Sequence, residues 1–306
     1  MAYVWQINMI DLGEETFVNG TILRNKPKSK YNARSIVENL FQVVLSYGNF
    51  AYKKRNIYLI INNQEYQIKT DKNGYFEVTV PETLSDNFYI LNRKKKKMEM
   101  IQDYPSQFYQ KKPKYEVISD IDDTLIHSNT VSLFKRLSTL LLLRAKKRRS
   151  VDATVELLQE FDKHQFRITY LSKSESNLFR LIYNIFKINN LPKGAMLLSP
   201  YLSFKRLILS KMENFKIDHL KRLITKLPDK KFILLGDDTQ QDIHIYTSIA
   251  QQFNAQIEKV YIRQTNAFIN VADTIAWKEL LDTGVTCQII AFEDELKDEI
   301  DNFSTT

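Results

Sequence analysis

Val117-Ile118-Ser119-Asp120-Ile121-Asp122-Asp123-Thr124-Leu125 is a short apolar run that stops in three carboxylates and a hydroxyl. The apolar part predicts a buried strand, and packing alone would not select the residues that end it. Crowded carboxylates repel one another and lose solvation, so a positive group normally sits among them. In open α/β sheets, ligands bind at the carboxyl ends of strands. The expectation is that Asp120 and Asp122 face a Mg²⁺ ion and a phosphoryl group. The alternative is a strand followed by an acidic, solvated turn.

The 306 residues suffice for two domains with cores of their own. With 44 Lys+Arg against 36 Asp+Glu, the net charge of +8 suits an anionic substrate, an anionic membrane surface or nucleic acid, and equally suits solubility alone. The single cysteine, Cys287, excludes an internal disulfide framework and a multi-cysteine zinc site. Its neighbours read as a strand, which favours a structural thiol over a nucleophile. The histidines are scattered at 127, 164, 219 and 244, against a His-rich metal cluster. The N-terminal residues lack the layout of a signal peptide, and no apolar run is long enough to cross a bilayer. A cytoplasmic setting is the expectation, with peripheral contact to a membrane as its variant.

Around the opening stretch, the chain divides into three parts. Residues 1–100 read mainly as β structure, with strands over Thr16–Leu23, Ile57–Asn62, Tyr66–Thr70 and Tyr75–Val80. Asp71-Lys72-Asn73-Gly74 is a tight-turn signal before the last of these. A helix over Ala33–Tyr47 completes a small β-sandwich. Residues 101–114 form a linker, just after the basic run Arg93-Lys94-Lys95-Lys96-Lys97. That run is either a solvated loop or an anchor on anionic lipid. Residues 115–306 alternate strands and helices, the pattern of a parallel sheet in an α/β fold with helices on both faces. Strands are expected at 117–119, 166–171, 231–235, 260–262 and 287–292, and helices at 151–162, 176–189 and 215–226.

Four features fall at or beside strand ends in this third part: Asp120/Asp122; Ser172; a lysine opening the helix before the last acidic strand; and Gly236-Asp237-Asp238-Thr239-Gln240-Gln241-Asp242. This order resembles the haloacid dehalogenase (HAD) superfamily of phosphohydrolases. The closer resemblance is to the App1-like phosphatidate phosphatases of bacterial type, with their β-rich N-terminal domain. The matching residues are Ile118 to Thr124, Tyr170-Leu171-Ser172, Leu191-Pro192-Lys193-Gly194, Pro228 through Asp237-Asp238 to Asp242 and Tyr246, and Tyr261-Ile262-Arg263. Thr70-Asp71 and Gly74-Tyr75-Phe76 match the preceding domain. The family usually follows its second-motif serine with Ser-Pro-Trp, where this chain has Ser174-Glu175-Ser176. The family's Phe-Pro-Gly is replaced by Ser150-Val151-Asp152-Ala153.

The resemblance implies a HAD-like Rossmannoid sheet and a Mg²⁺-dependent phosphatase. Asp120 would be nucleophile and metal ligand, Asp122 the acid/base with its backbone carbonyl on the metal, and Asp237 a further ligand. Ser172 and Lys216 would hold the transferring group, while Asp238 and Asp242 orient water around the ion. Lys205, Lys211 and Lys221 compete for the lysine role; Lys216 has the family's spacing from Pro228. Thr124 and Arg263 are placed near the substrate, with loop bracing and a surface ion pair as their alternatives. Ser172 is equally placed to cap the helix near Ser176, and Asp242 fits an exposed residue favouring a helix N-terminus. Lys146-Lys147-Arg148-Arg149, after a leucine run, reads as the solvated end of a core helix or as a membrane-facing cap. The implied substrate is phosphatidate or a related lipid phosphate. A soluble phosphoester, a phosphoprotein, or phosphatidate binding without turnover stand as alternatives. Nucleic acid is not expected as a partner.

Overall fold

A computed structural model of the protein describes residues 2–26, 51–121, 145–200, 213–238, 240–265 and 270–290. The expected helix over 33–47, Asp122 and Thr124 with the roles expected of them, and the leucine-rich run before residue 144 lie outside these residues, as do the side chains of 146–149. The chain forms two compact units, one of Met1–Gln110, Lys173–Ile188 and Gly194–Lys211, the other of Lys111–Ser172, Asn189–Lys193 and Met212–Thr306.

In the first unit, β1 (Tyr3–Asp11), β2 (Thr16–Leu23) and β5 (Tyr75–Val80) pair antiparallel, while β3 (Asn56–Ile61), β4 (Gln64–Lys69) and β6 (Phe88–Leu91) form a second antiparallel sheet. Two short strands, β7 (Glu99–Met100) and β8 (Gln107–Phe108), run parallel to β1. Val4, Ile7, Met9, Val18 and Ile22 of the first sheet share one apolar cluster with Ile57, Leu59, Ile61 and Ile90 of the second. The turn into β5 forms as its sequence predicts. Asp71 Oδ1 accepts from the Asn73 and Tyr75 amides at 2.6 and 2.9 Å, and Gly74 takes φ +75°.

The second unit contains β9 (Tyr115–Asp120), α1 (Ala145–Lys163), and β10 (Arg167–Glu175), whose last three residues fall in the first unit. The chain passes through α2 (Phe179–Ile188) and β11 (Ala195–Ser199) of the first unit before α3 (Glu213–Lys226) and β12 (Lys231–Asp237). Helix α4 (Gln240–Phe253), β13 (Ile257–Arg263), α5 (Ile275–Leu281) and β14 (Thr286–Ile290) follow. Strands β10, β9, β12, β13 and β14 run parallel in that order. All six residues of β9 are buried, as a central parallel strand requires.

This order reverses direction at β9. From β9 the chain adds β10 on one side, then returns past β9 to add β12, β13 and β14 on the other. The crevice at such a switch point, outside the carboxyl ends of the two strands, is where open α/β sheets bind ligands. Asp120 ends β9 and Asp237 ends β12.

Candidate active site and metal centre

Register brings the two strand ends together. Leu235 pairs with Ser119, so Gly236 and Asp237 run on at the level of Asp120 and beyond. Leu171 is the register partner of Asp120, which sets Ser172 one step further along the neighbouring strand, fully buried. Asp242 enters from the first turn of α4, where the helix dipole favours an acidic side chain. Lys216 enters from the first turn of α3.

These four charged side chains meet. Lys216 Nζ lies 2.8 Å from Asp120 Oδ1 and 2.6 Å from Asp242 Oδ1, with all three groups almost excluded from solvent. One carboxylate oxygen each from Asp120, Asp237 and Asp242 falls within 4.8 Å of the others. Burial, and then the charge of Asp242, push the Asp120 carboxyl up to about 6, against the opposing pull of Lys216.

A close approach of helix to strand makes this cluster possible. A Cβ at Gly236 would stand 2.7 Å from Tyr246 Cε2, closer than real atoms approach, and a tight 3.0 Å from Asp242 Oδ2. Gly236 therefore lets α4 seat Asp242 against the end of β12. Tyr246, one turn on, fixes that seat by donating from its hydroxyl to Leu235 O at 2.8 Å. Burial, and then the Asp242 charge, raise the Tyr246 phenol well above its ordinary range, so it remains a proton donor.

The donor set suits a hard divalent cation. Mg²⁺ takes oxygen ligands, usually a few carboxylates completed by water. Here three buried carboxylates lie together, two of them on the Lys216 ammonium, and Asp242 Oδ2 is buried without a hydrogen-bond partner. Asp120, Asp237 and Asp242 could together hold the ion.

Asp120, Lys216, Asp237 and Asp242, each expected from sequence, are thus brought into one group, and Ser172 is buried at the same end of the sheet. Asp242 is not an exposed helix residue; it is buried, with a carboxylate oxygen within 4.8 Å of those of the two strand-end carboxylates. Asp238 stands differently. Its carboxylate accepts from the Thr265 amide at 2.9 Å and from the Thr265 hydroxyl, tying the end of β12 to the chain leaving β13. Arg263, the register partner of Asp237, is buried rather than at the surface. Sequence reasoning quoted Tyr246 without giving it a task. Its spacing of four from Asp242 was the available signal, since i and i+4 share a helix face.

Comparison with known proteins agrees with this geometry. Residues 115–264 match the family model described as phosphatidate phosphatase APP1, catalytic domain. Phosphatidate phosphatase APP1 of Saccharomyces cerevisiae is 30% identical over 149 residues, which are 48% of this chain and 25% of that protein. An uncharacterized protein of Schizosaccharomyces pombe is 23% identical over 208 residues, 65% of this chain and 34% of its own length. The chain thus spans between a quarter and about a third of the curated relatives it matches. A carbohydrate acetylesterase from Xanthomonas citri aligns at 8% identity with a TM-score of 0.32, covering 95% of this chain and 68% of that one, and nothing is drawn from it. Residues 115–264 are thus similar to the catalytic domain of the APP1-like phosphatidate phosphatases.

Proposed function

We propose that this chain is a HAD-like, Mg²⁺-dependent phosphatase that hydrolyses a phosphomonoester through an aspartyl-phosphate on Asp120. The substrate is phosphatidate, converted to diacylglycerol, or a related lipid phosphate. The observation that carries this reading is the buried group of Asp120, Asp237 and Asp242, with Lys216 paired to the first and last of them, at the switch point of a parallel sheet.

Bound Mg²⁺ would supply charge neutralisation on the phosphoryl oxygens, held by Asp120, Asp237 and Asp242 with the backbone carbonyl of Asp122. A free Asp120 oxygen attacks phosphorus while the bond to the leaving alcohol breaks. The alcohol oxygen takes its proton from Asp122. The resulting Asp122 carboxylate then removes a proton from water, and that water attacks phosphorus to free Asp120 and release phosphate. Lys216 offsets charge on Asp120 and on the transferring group, and Ser172 donates a hydrogen bond to it. Thr124 and Arg263 fall to the substrate side of this scheme, and Asp238 keeps the adjoining loop in place.

Phosphate release from phosphatidate in mixed micelles, with and without Mg²⁺, tests this reading. Metal-dependent release is expected, and its loss in Asp120→Asn. A second reading is favoured by Ser174-Glu175-Ser176, which replaces the family's Ser-Pro-Trp: the same chemistry on a soluble phosphoester or a phosphoprotein. Fast turnover of such esters, with phosphatidate left intact, would select it. Mg²⁺-dependent phosphatidate binding without turnover would instead mark a non-enzymatic binding domain. No described helix is long and apolar enough to cross a membrane. We place the protein in the cytoplasm, meeting lipid peripherally.

A further inference from the structure

In the first unit, strand register gathers separate basic stretches at one end of one sheet. Tyr58 pairs with Leu91 and Asn56 with Lys69, so the turns beside these residues share an edge. Lys53, Lys54 and Arg55 precede β3 there, Lys69 and Lys72 lie at and beyond the end of β4, and Arg93 to Lys97 follow β6. The Lys54 amide donates to Asp71 O and the Thr70 amide to Arg55 O, both at 2.9 Å, which locks two of these turns together. All ten cations are exposed.

The third turn is equally fixed. The Lys95 amide donates to Asn92 O at 2.8 Å, the Lys96 carbonyl accepts from the Asn92 amide at 2.9 Å, and Asn92 Oδ1 accepts from the Lys94 amide at 2.8 Å. Main-chain and Asn92 groups thus hold the loop, leaving the side chains of Lys94 and Lys96 exposed. Only Glu65 and Asp71 are acidic within residues 53–72 and 88–97. Glu65 is paired with Lys95, and Asp71 is committed to its own turn.

We infer that this sheet end is a docking surface for an anionic lipid bilayer. Clustered Lys and Arg are attracted to anionic headgroups, and Tyr rings suit the interfacial zone. Half-buried Tyr58 and Tyr89 stand beside the cations, with Lys95 Nζ 3.3 Å from the Tyr58 ring centroid and Lys97 Nζ 5.1 Å from that of Tyr89. Single-stranded nucleic acid needs open aromatic faces on which bases stack. These two rings already carry an ammonium over them, which favours the bilayer. The inference deepens the lipid-phosphate reading and rests on it for its biological sense, but its chemistry is separate from the carboxylate site.

Sedimentation of the full chain with phosphatidylcholine vesicles, with and without phosphatidylserine, tests it; neither lipid carries a phosphomonoester. Binding is expected only with phosphatidylserine and should fall as salt rises. Lys53→Glu/Lys94→Glu/Lys96→Glu should lower the partition coefficient on the order of a hundredfold. Lys163→Glu/Lys226→Glu/Lys278→Glu, the same charge change elsewhere, should lower it only a few-fold. Lys94→Gln/Lys96→Gln, a milder pair in case the triple variant fails to fold, should lower it about thirtyfold. Equal losses in the first and second triple variants, no loss in the pair, or preference for a single-stranded oligonucleotide over phosphatidylserine vesicles would each overturn the inference. Asp120→Asn should bind these vesicles as wild type does, so failure of the phosphatase reading is distinguishable from failure of this one.

Discussion

Lys216 Nζ lies 2.6 Å from Asp242 Oδ1, which pins the first turn of α3 to the first turn of α4 through a buried charge-assisted bond. The same ammonium reaches Asp120 Oδ1 at 2.8 Å. One lysine therefore joins two helix starts to the end of the central strand, and the carboxylate group depends on it both for assembly and for charge.

Lys216→Met keeps the apolar stem and removes the charge. Breaking a buried pair from one side costs about 3–5 kcal/mol, because the carboxylates left behind are uncompensated. Thermal unfolding without metal should show that loss, and added Mg²⁺ should recover more stability in the variant than in wild type. A melting temperature equal to wild type would contradict the role given to Lys216.

Asp120→Asn should separate stability from turnover. Burial raises the Asp120 carboxyl to about 6 from 3.8, so the folded state favours its neutral form. That contribution is complete below pH 3.8 and is lost as pH rises through about 6. An amide at this position stays neutral at pH 7. The metal-free variant should therefore be more stable by about 0.5–2 kcal/mol, while phosphate release falls at least about a thousandfold. Denaturant unfolding and a phosphate assay on one preparation check both halves.

Gly236→Ala places a methyl where Tyr246 and Asp242 already stand. Overpacking of this kind costs about 1–3 kcal/mol, and relief by withdrawal of α4 would draw Asp242 out of the group. Weaker Mg²⁺ binding by calorimetry should accompany the stability loss. Unchanged metal affinity would show that Asp242 does not depend on this contact.

Cys287 should behave as a quiet thiol. Burial raises it to about 11 from 9.0, so at pH 8 its thiolate fraction is about a hundredfold lower than in the unfolded chain. Slow modification by a thiol reagent, accelerated by denaturant, is the expected result. The neutral thiol's contribution to stability is complete below pH 9 and is lost as pH rises through about 11.

Much of the carboxylate site was legible because its residues sit where local patterns end. Asp120 and Asp237 terminate apolar runs, and Asp242 and Lys216 fall in first turns of amphipathic segments. The burial of Asp242 was not legible: it depends on Gly236 letting the next helix fold back against the strand end, with Tyr246 one turn on. Strand β1 shows the limit in the first unit. It contains Gln6 and Asn8, which read as surface positions, yet both are buried and donate to Met196 O at 2.8 Å across some 190 residues. The short strands β7 and β8 were equally silent, since two residues carry no period. Local pattern likewise gives no reason for 173–188 and 194–211 to group with the N-terminal strands. That grouping is made by contacts such as Trp5 Nε1 donating to Ser176 O at 2.8 Å.

The most direct test of the central claim is to identify the residue that becomes phosphorylated. Wild-type protein mixed with Mg²⁺ and phosphatidate radiolabelled in its phosphate, quenched in acid within one turnover and digested, should yield label on the peptide containing Asp120. The label should be released by hydroxylamine and be absent from Asp120→Asn. Steady phosphate release with no label on that peptide, or release undiminished in Asp120→Asn, would contradict an aspartyl-phosphate on Asp120.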